Sequence, residues 1–224
     1  TLWSDAPVSH IVVTPPVPSF PLNPDKANWS VWDFPDVVDH WNFPGYEGKK
    51  MTVSVYSNCE QVELFLNGES LGKQENTADK KNTLVWEVPY AHGILKAVSY
   101  NKGGEVGTAT LESAGKVEKI RLSADRTEIV ADGNDLSYIT LELVDSKGIR
   151  NQLAEELVEF SIEGDATIEG VGNANPMSIE SFVANSRKTW RGSNLLVVRS
   201  GKSSGRIIVT AKVKALPVAS ITIT

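Results

Sequence analysis

The stretch Thr52 to Lys73 reads TVSVYSNCEQVELFLNGESLGK, and its pattern decides the fold class. Val53 and Val55 alternate with polar residues, and Val62, Leu64 and Leu66 resume the alternation a few positions on. Asn67-Gly68 then offers the two residue types best able to take positive φ in a two-residue hairpin turn. The expected order is strand, short link, strand, turn and third strand, laid out as a meander. A meander buries one face and wets the other, so it needs a second layer. The run Thr83 to Val88 supplies one, with Leu84, Trp86 and Val88 on a single side. The stretch therefore predicts a β-sandwich with no helix in its core.

Working outward, strands are expected at 51–57, 61–66, 69–73, 83–88, 94–100 and 105–111. The connectors, Asn67-Gly68 and Asn101-Lys102-Gly103-Gly104 among them, are too short to hide a crossover helix, so the sheets should be antiparallel. Ser113-Ala114-Gly115-Lys116 is small and polar and marks a boundary. Beyond it, strands are expected over 117–123, continuing through 127–131, then 137–145, where Ile139, Leu141 and Leu143 face inward. Val158, Phe160 and Ile162 mark another, and further strands are expected at 194–199, 205–213 and 218–223. Asn173 to Pro176 and Glu180 to Phe182 fall in a long irregular connection. Short period-two strands punctuated by turns are the sequence form of an immunoglobulin-like sandwich, although the buried cysteine pair of antibody domains is absent.

The first 50 residues differ. One strand candidate, His10 to Val13, precedes Pro15-Pro16-Val17-Pro18, and Pro21, Pro24, Pro35 and Pro44 interrupt the chain beyond it. Four of the six tryptophans, Trp3, Trp29, Trp32 and Trp41, also lie here, which is too apolar for a solvated tail. The chain is thus expected to be all-β: an irregular Pro/Trp-rich arm (1–48) packed on a first antiparallel β-sandwich (49–114), then a second, immunoglobulin-like sandwich (115–224). The abrupt start at Thr1 and the stop inside the alternation Ala219 to Thr224 read as cuts in a longer polypeptide.

Composition excludes several function classes. The formal charge of −6 with 22 scattered Lys and Arg residues lacks the basic clustering that binds nucleic acid. No apolar run approaches the roughly 20 residues of a membrane span. Cys59 is alone, which excludes an internal disulfide and a thiolate metal cluster, and it reads as a packed residue. His10, His40 and His92 are far apart, without metal-ligand spacing, so no zinc site or other cofactor is expected. Asp132-Gly133-Asn134-Asp135 could offer oxygens to Ca²⁺, but the same residues are what a turn demands. Asn28-Trp29-Ser30 fits a glycosylation pattern. The acidic pairs Glu155-Glu156 and Asp36 with Asp39 read as solvated loop charges. One group has a binding reading: the aromatic faces of Trp29, Trp32, Trp41 and Tyr46 could stack on sugars while Asn42 takes a hydroxyl. The alternative is that these residues fill a packing seam.

Several motifs together carry a family resemblance. Asp39-His40-Trp41-Asn42, Gly45 to Gly48, Val55 to Asn58, Val62 to Gly68 and Trp86 to Tyr90 resemble the domain of unknown function that comes after the catalytic barrel in glycoside hydrolase family 2. Ala131-Asp132-Gly133, Leu136 to Thr140, Gly170 to Asn173 with Pro176, Glu180 to Phe182 and Arg191-Gly192 resemble the Ig-like or invasin-like domain that comes next in those enzymes. The resemblance implies a parent of β-galactosidase type, a retaining glycosidase whose catalytic glutamates sit on a (β/α)₈ barrel. The alternating strands and helices of a barrel are not found here, so no glutamate of this chain takes a catalytic role by resemblance. The implied partner is the barrel of the parent, with carbohydrate as a second candidate, and the implied setting is periplasmic or secreted in a bacterium. A carbohydrate-binding module and an adhesin-type surface module are the other readings of the same sandwiches.

Overall fold

The computed structural model describes residues 6–19 and 35–224. Trp3, Trp29, Trp32 and the Asn28 glycosylation pattern lie outside the described residues. The chain divides into two compact units, Thr1–Ser113 and Ala114–Thr224.

The first unit contains β1 (Ser9–Val13), β2 (Lys50–Ser57), β3 (Gln61–Leu66), β4 (Glu69–Glu75), β5 (Thr83–Pro89), β6 (Ile94–Asn101) and β7 (Gly104–Glu112). They form two antiparallel sheets, ordered β1-β2-β5 and β4-β3-β6-β7. The strand positions expected from the alternation are therefore met, but the meander is not. β2 and β3 do not pair; the chain changes sheet at Asn58-Cys59-Glu60, so Val53 and Val55 face Val62 and Leu64 across the core. The physical reason is local. Asn76 Nδ2 donates to the carbonyls of Ser57 and Cys59, and the Cys59 amide donates to Ser57 Oγ, so the link spends its hydrogen bonds on a corner instead of a hairpin. β5 joins the β2 sheet, and that sheet covers the other. Cys59 itself is 1% exposed.

The described part of the expected arm belongs to this sandwich. The strand candidate at His10–Val13 becomes β1 and extends the β2 edge, Val13 bridges Val38, and Ile11, Val13, Val38, Trp41 and Phe43 all lie in the core. Thr14-Pro15-Pro16 ends the strand because proline has no amide to continue the ladder.

The second unit contains β8 (Lys119–Ala124), β9 (Leu136–Val144), β10 (Leu157–Glu163), β11 (Ala166–Gly172), β12 (Ser186–Lys188), β13 (Ser193–Ser200), β14 (Ile207–Val213) and β15 (Ala219–Ile223). Its two antiparallel sheets run β12-β10-β14-β15 and β11-β13-β9-β8. Ile139, Leu141, Leu143, Leu196 and Val198 from one sheet meet Val158, Phe160, Val209 and Ala211 from the other, all at most 2% exposed.

Two expectations are corrected here. Residues 127–131 do not form a strand: only Thr127 and Ile129 exchange backbone bonds with Thr224, while the Val130 amide is captured by the Asp135 carboxylate. Conversely, β11 and β12 have no counterpart among the expected strands. A bulge between Ile168 and Gly170 breaks the alternation of β11, and β12 is only three residues long.

Candidate functional site

The aromatic cluster is the leading site expected from the sequence. Trp41 is fully buried, with Tyr90 and Phe43 edge-on at ring-centroid distances of 5.0 and 6.1 Å. Its Nε1–H donates to the Ala91 carbonyl at 2.8 Å, the partner a buried indole requires. The Ser113 hydroxyl donates to the Trp41 carbonyl, tying the segment to the end of β7. Asn42 is buried, and its backbone N–H donates to His40 Nδ1 at 3.2 Å. Tyr46 is half-buried against the same core, with Lys49 Nζ 4.7 Å from its ring centroid. Here Trp41 has no face open to a ligand, whereas Tyr46 keeps part of its ring accessible.

A surface hollow of about 600 Å³ lies on the outer side of β3 and β6, which sequence reasoning missed. Phe65, Ile94, Val98 and Tyr100 form its apolar floor, with Lys96, Glu105 and Asn67 on its margin. A bulge between Ser99 and Tyr100 places Tyr100 opposite Glu105. The Tyr100 hydroxyl donates to Glu63 Oε2 at 3.3 Å, and Lys73 Nζ stands 3.5 Å from its ring centroid. Burial together with the Glu63 carboxylate raises the Tyr100 phenol above its ordinary pKa. The signal was present, because Phe65, Val98 and Tyr100 occupy the outward positions of strands whose inward positions are already apolar. That leaves two apolar faces where one is needed.

Several of the acidic residues are engaged in structure. Asp132 Oδ1 accepts the amides of Asn134 and Asp135, so the Asp132–Asp135 candidate for Ca²⁺ directs this oxygen at its own turn. Asp135 is held below the usual carboxylate range by the Val130 amide first and the Arg126 guanidinium next. Asp165 is lowered by the amide and hydroxyl of Ser203 and then by the amide of Lys202, and Glu169 by Thr167 and Arg199. Glu155 and Glu156 are exposed, and Asp36 accepts the Ser19 amide. Among the described residues no three His, Cys, Asp or Glu side chains are grouped as a metal site.

Comparison with known proteins agrees with these two sandwiches. Residues 120–222 match the model described as glycoside hydrolase family 2 C-terminal domain 5, and residues 48–107 match a domain of unknown function. The chain is 33% identical over 192 residues to a β-galactosidase of Bacteroides ovatus, covering 85% of this chain and 22% of that protein. It is 30% identical over 205 residues to a β-glucuronidase of Formosa agariphila, covering 88% of this chain and 20% of that protein. A solved structure of a glycosyl hydrolase family 2 member from Bacteroides cellulosilyticus superposes with a TM-score of 0.97 at 99% identity, over 100% of this chain and 29% of that one. The chain thus spans about a fifth of the length of these two curated relatives. With both sandwiches matched in order, the chain is a C-terminal fragment of a glycoside hydrolase family 2 protein.

Proposed function

We propose that this region is non-catalytic and braces the catalytic barrel of its parent, a retaining glycosidase acting on β-galactosides or β-glucuronides. The non-catalytic half of the reading is supported by the acidic side chains, and the bracing half by the match of both sandwiches to the C-terminal region of family 2 enzymes. A glycosidase acid/base needs a carboxyl whose pKa is raised, beside a second carboxylate across the scissile bond. The displaced carboxyls among the described residues, Asp79, Asp135, Asp145, Asp165, Glu169 and Glu180, are all lowered. Such groups stay ionised and serve as caps and ion-pair partners. The relatives' names point to either sugar, and the choice between them belongs to the barrel loops.

The test is to assay the purified 224-residue chain on nitrophenyl β-galactoside and β-glucuronide while circular dichroism follows its cooperative unfolding. No turnover is expected; turnover that persists through repurification rejects the reading. In the parent enzyme, Glu63→Gln and Asp165→Asn should leave kcat unchanged.

The hollow over Phe65 and Tyr100 favours a second reading, in which the first unit also holds carbohydrate. Chemical-shift changes at Phe65, Val98 and Tyr100 on titration with galacto- and glucurono-oligosaccharides would support it, and unchanged shifts at millimolar sugar would reject it.

A further inference from the structure

The connection between β11 and β12 has an inverted polarity. The polar groups of Asn173, Ser178 and Glu180 are bonded within the fold. Arg187 is fully buried beneath it, and its guanidinium donates to the carbonyls of Val171 and Glu180 at 3.2 and 3.1 Å and to Ser178 Oγ at 3.1 Å. The Glu180 carboxylate accepts the Lys188 amide and the Ser178 hydroxyl, both at 3.0 Å. Asn173 holds the other end, accepting the Asn175 amide and donating to the Lys188 carbonyl. The Phe182 carbonyl accepts the Val171 amide on the free edge of β11.

The apolar groups of the same loop point out. Met177 is 84% exposed, Ile179 101%, Val183 80% and Phe182 62%, the last lying over the Arg187 guanidinium at 4.2 Å from its ring centroid. A solvated loop does the reverse, and a loop that shows apolar side chains only because it is slack would not be bonded from beneath at this many points. Holding these side chains in fixed positions gains nothing in water but lowers the ordering cost of burying them against a surface.

We infer that Met177, Ile179, Phe182 and Val183 form a preorganised docking surface for the part of the parent polypeptide outside this chain. Three observations choose that occupant. The patch is aliphatic around one aromatic ring, which suits a protein surface, whereas sugar recognition calls for flat rings framed by free hydrogen-bonding groups. The Arg187 Nη1 and Nη2 groups, the Glu180 carboxylate and the Ser178 hydroxyl, which could have read a sugar, are bonded inside the loop. The homologous chains extend far beyond the matched region, which is 29% of the Bacteroides cellulosilyticus structure and 22% of the Bacteroides ovatus enzyme. The inference rests on the bracing role proposed above and names the surface that performs it.

The test uses the full-length parent and Met177, since Met51, the other methionine of this chain, is buried. Dilute hydrogen peroxide converts an accessible thioether to the sulfoxide, and peptide mass spectrometry reads the rate. In the native parent Met177 should oxidise at least about tenfold more slowly than in the urea-unfolded parent. Ile179→Asp with Val183→Asp should restore most of the unfolded-state rate, while Val130→Asp, at a residue 65% exposed elsewhere in the same unit, should not. Particle mass by light scattering should be the same for all three proteins. Oxidation of native Met177 at the unfolded rate overturns the inference, as does protection that survives the double substitution. Protection lost in step with a concentration-dependent fall in mass also overturns it, assigning the surface to a second copy. None of these readouts measures hydrolysis, so failure here is distinct from the appearance of turnover in the isolated chain.

Discussion

Asp145 Oδ2 accepts the Gly115 amide at 2.8 Å across 30 residues of sequence, while its Oδ1 accepts the amides of Lys147 and Ile149. One buried carboxylate thus closes the turn after β9 and fixes the first residues of the second unit. Burial by itself would raise its pKa, but the amides of Gly115, Ile149 and Lys147 outweigh that, and the group is lowered.

Asp145→Asn should cost about 1–3 kcal/mol at neutral pH, because the amide NH₂ replaces an acceptor at one of three donors. The sign of the pH dependence is set by the lowered pKa. The carboxylate's contribution is complete above the unfolded value near pH 4 and is lost as pH falls through the lower folded value. Urea unfolding of the two proteins should therefore differ most at neutral pH and converge below about pH 4. A constant difference across that range would contradict the assignment.

Trp41→Ala should destabilise the first unit by about 3–5 kcal/mol, the usual cost of emptying a buried aromatic position. The probe is the denaturant midpoint of the first unit. A change within about 0.5 kcal/mol, typical of a surface substitution, would mean that the indole is not part of the core.

Two turn glycines should behave differently. Asn67-Gly68 and Arg191-Gly192 both have positive φ at each residue, as two-residue hairpins require. A Cβ at Gly68 meets nothing within 4 Å, so Gly68→Ala should cost only the conformational penalty, about 1–2 kcal/mol. At Gly192 a Cβ would stand 2.2 Å from the Asn151 carbonyl oxygen, so Gly192→Ala should cost about 3 kcal/mol or more. Thermal unfolding of both variants gives the comparison, and equal losses would be the contrary result.

Arg187→Lys keeps the charge but replaces the planar fork with one ammonium, which cannot reach two carbonyls and a hydroxyl together. A loss of about 2 kcal/mol is expected, with faster proteolysis confined to residues 173–185. Unchanged cleavage there would show that the guanidinium does not hold the loop.

The sequence by itself determined the strands of the first sandwich, those of the second apart from β11 and β12, and their antiparallel sense. Period-two runs such as Val53-Val55, Val62-Leu64 and Ile139-Leu141-Leu143 can bury only one face, and the turn residues between them are too few for any other connection. It also carried the family, through motifs spread over both units. The hairpin pairs β3-β4 and β6-β7 follow from their turns, but tertiary structure alone decided that β2 and β3 lie in different sheets. Asn58-Cys59-Glu60 is a hairpin link or a corner depending on Asn76, which lies 17 residues away from Cys59 and is brought in by the fold. It decided the use of Trp41 as well, since an indole with an apolar face and one donor suits a ligand or a core equally, and only the placement of Phe43, Tyr90 and the Ala91 carbonyl made it core. The outward apolar side chains of the 173–185 loop were hidden for the same reason. Alternation tells which residues share a face, but whether that face meets protein or water is set by elements distant in sequence.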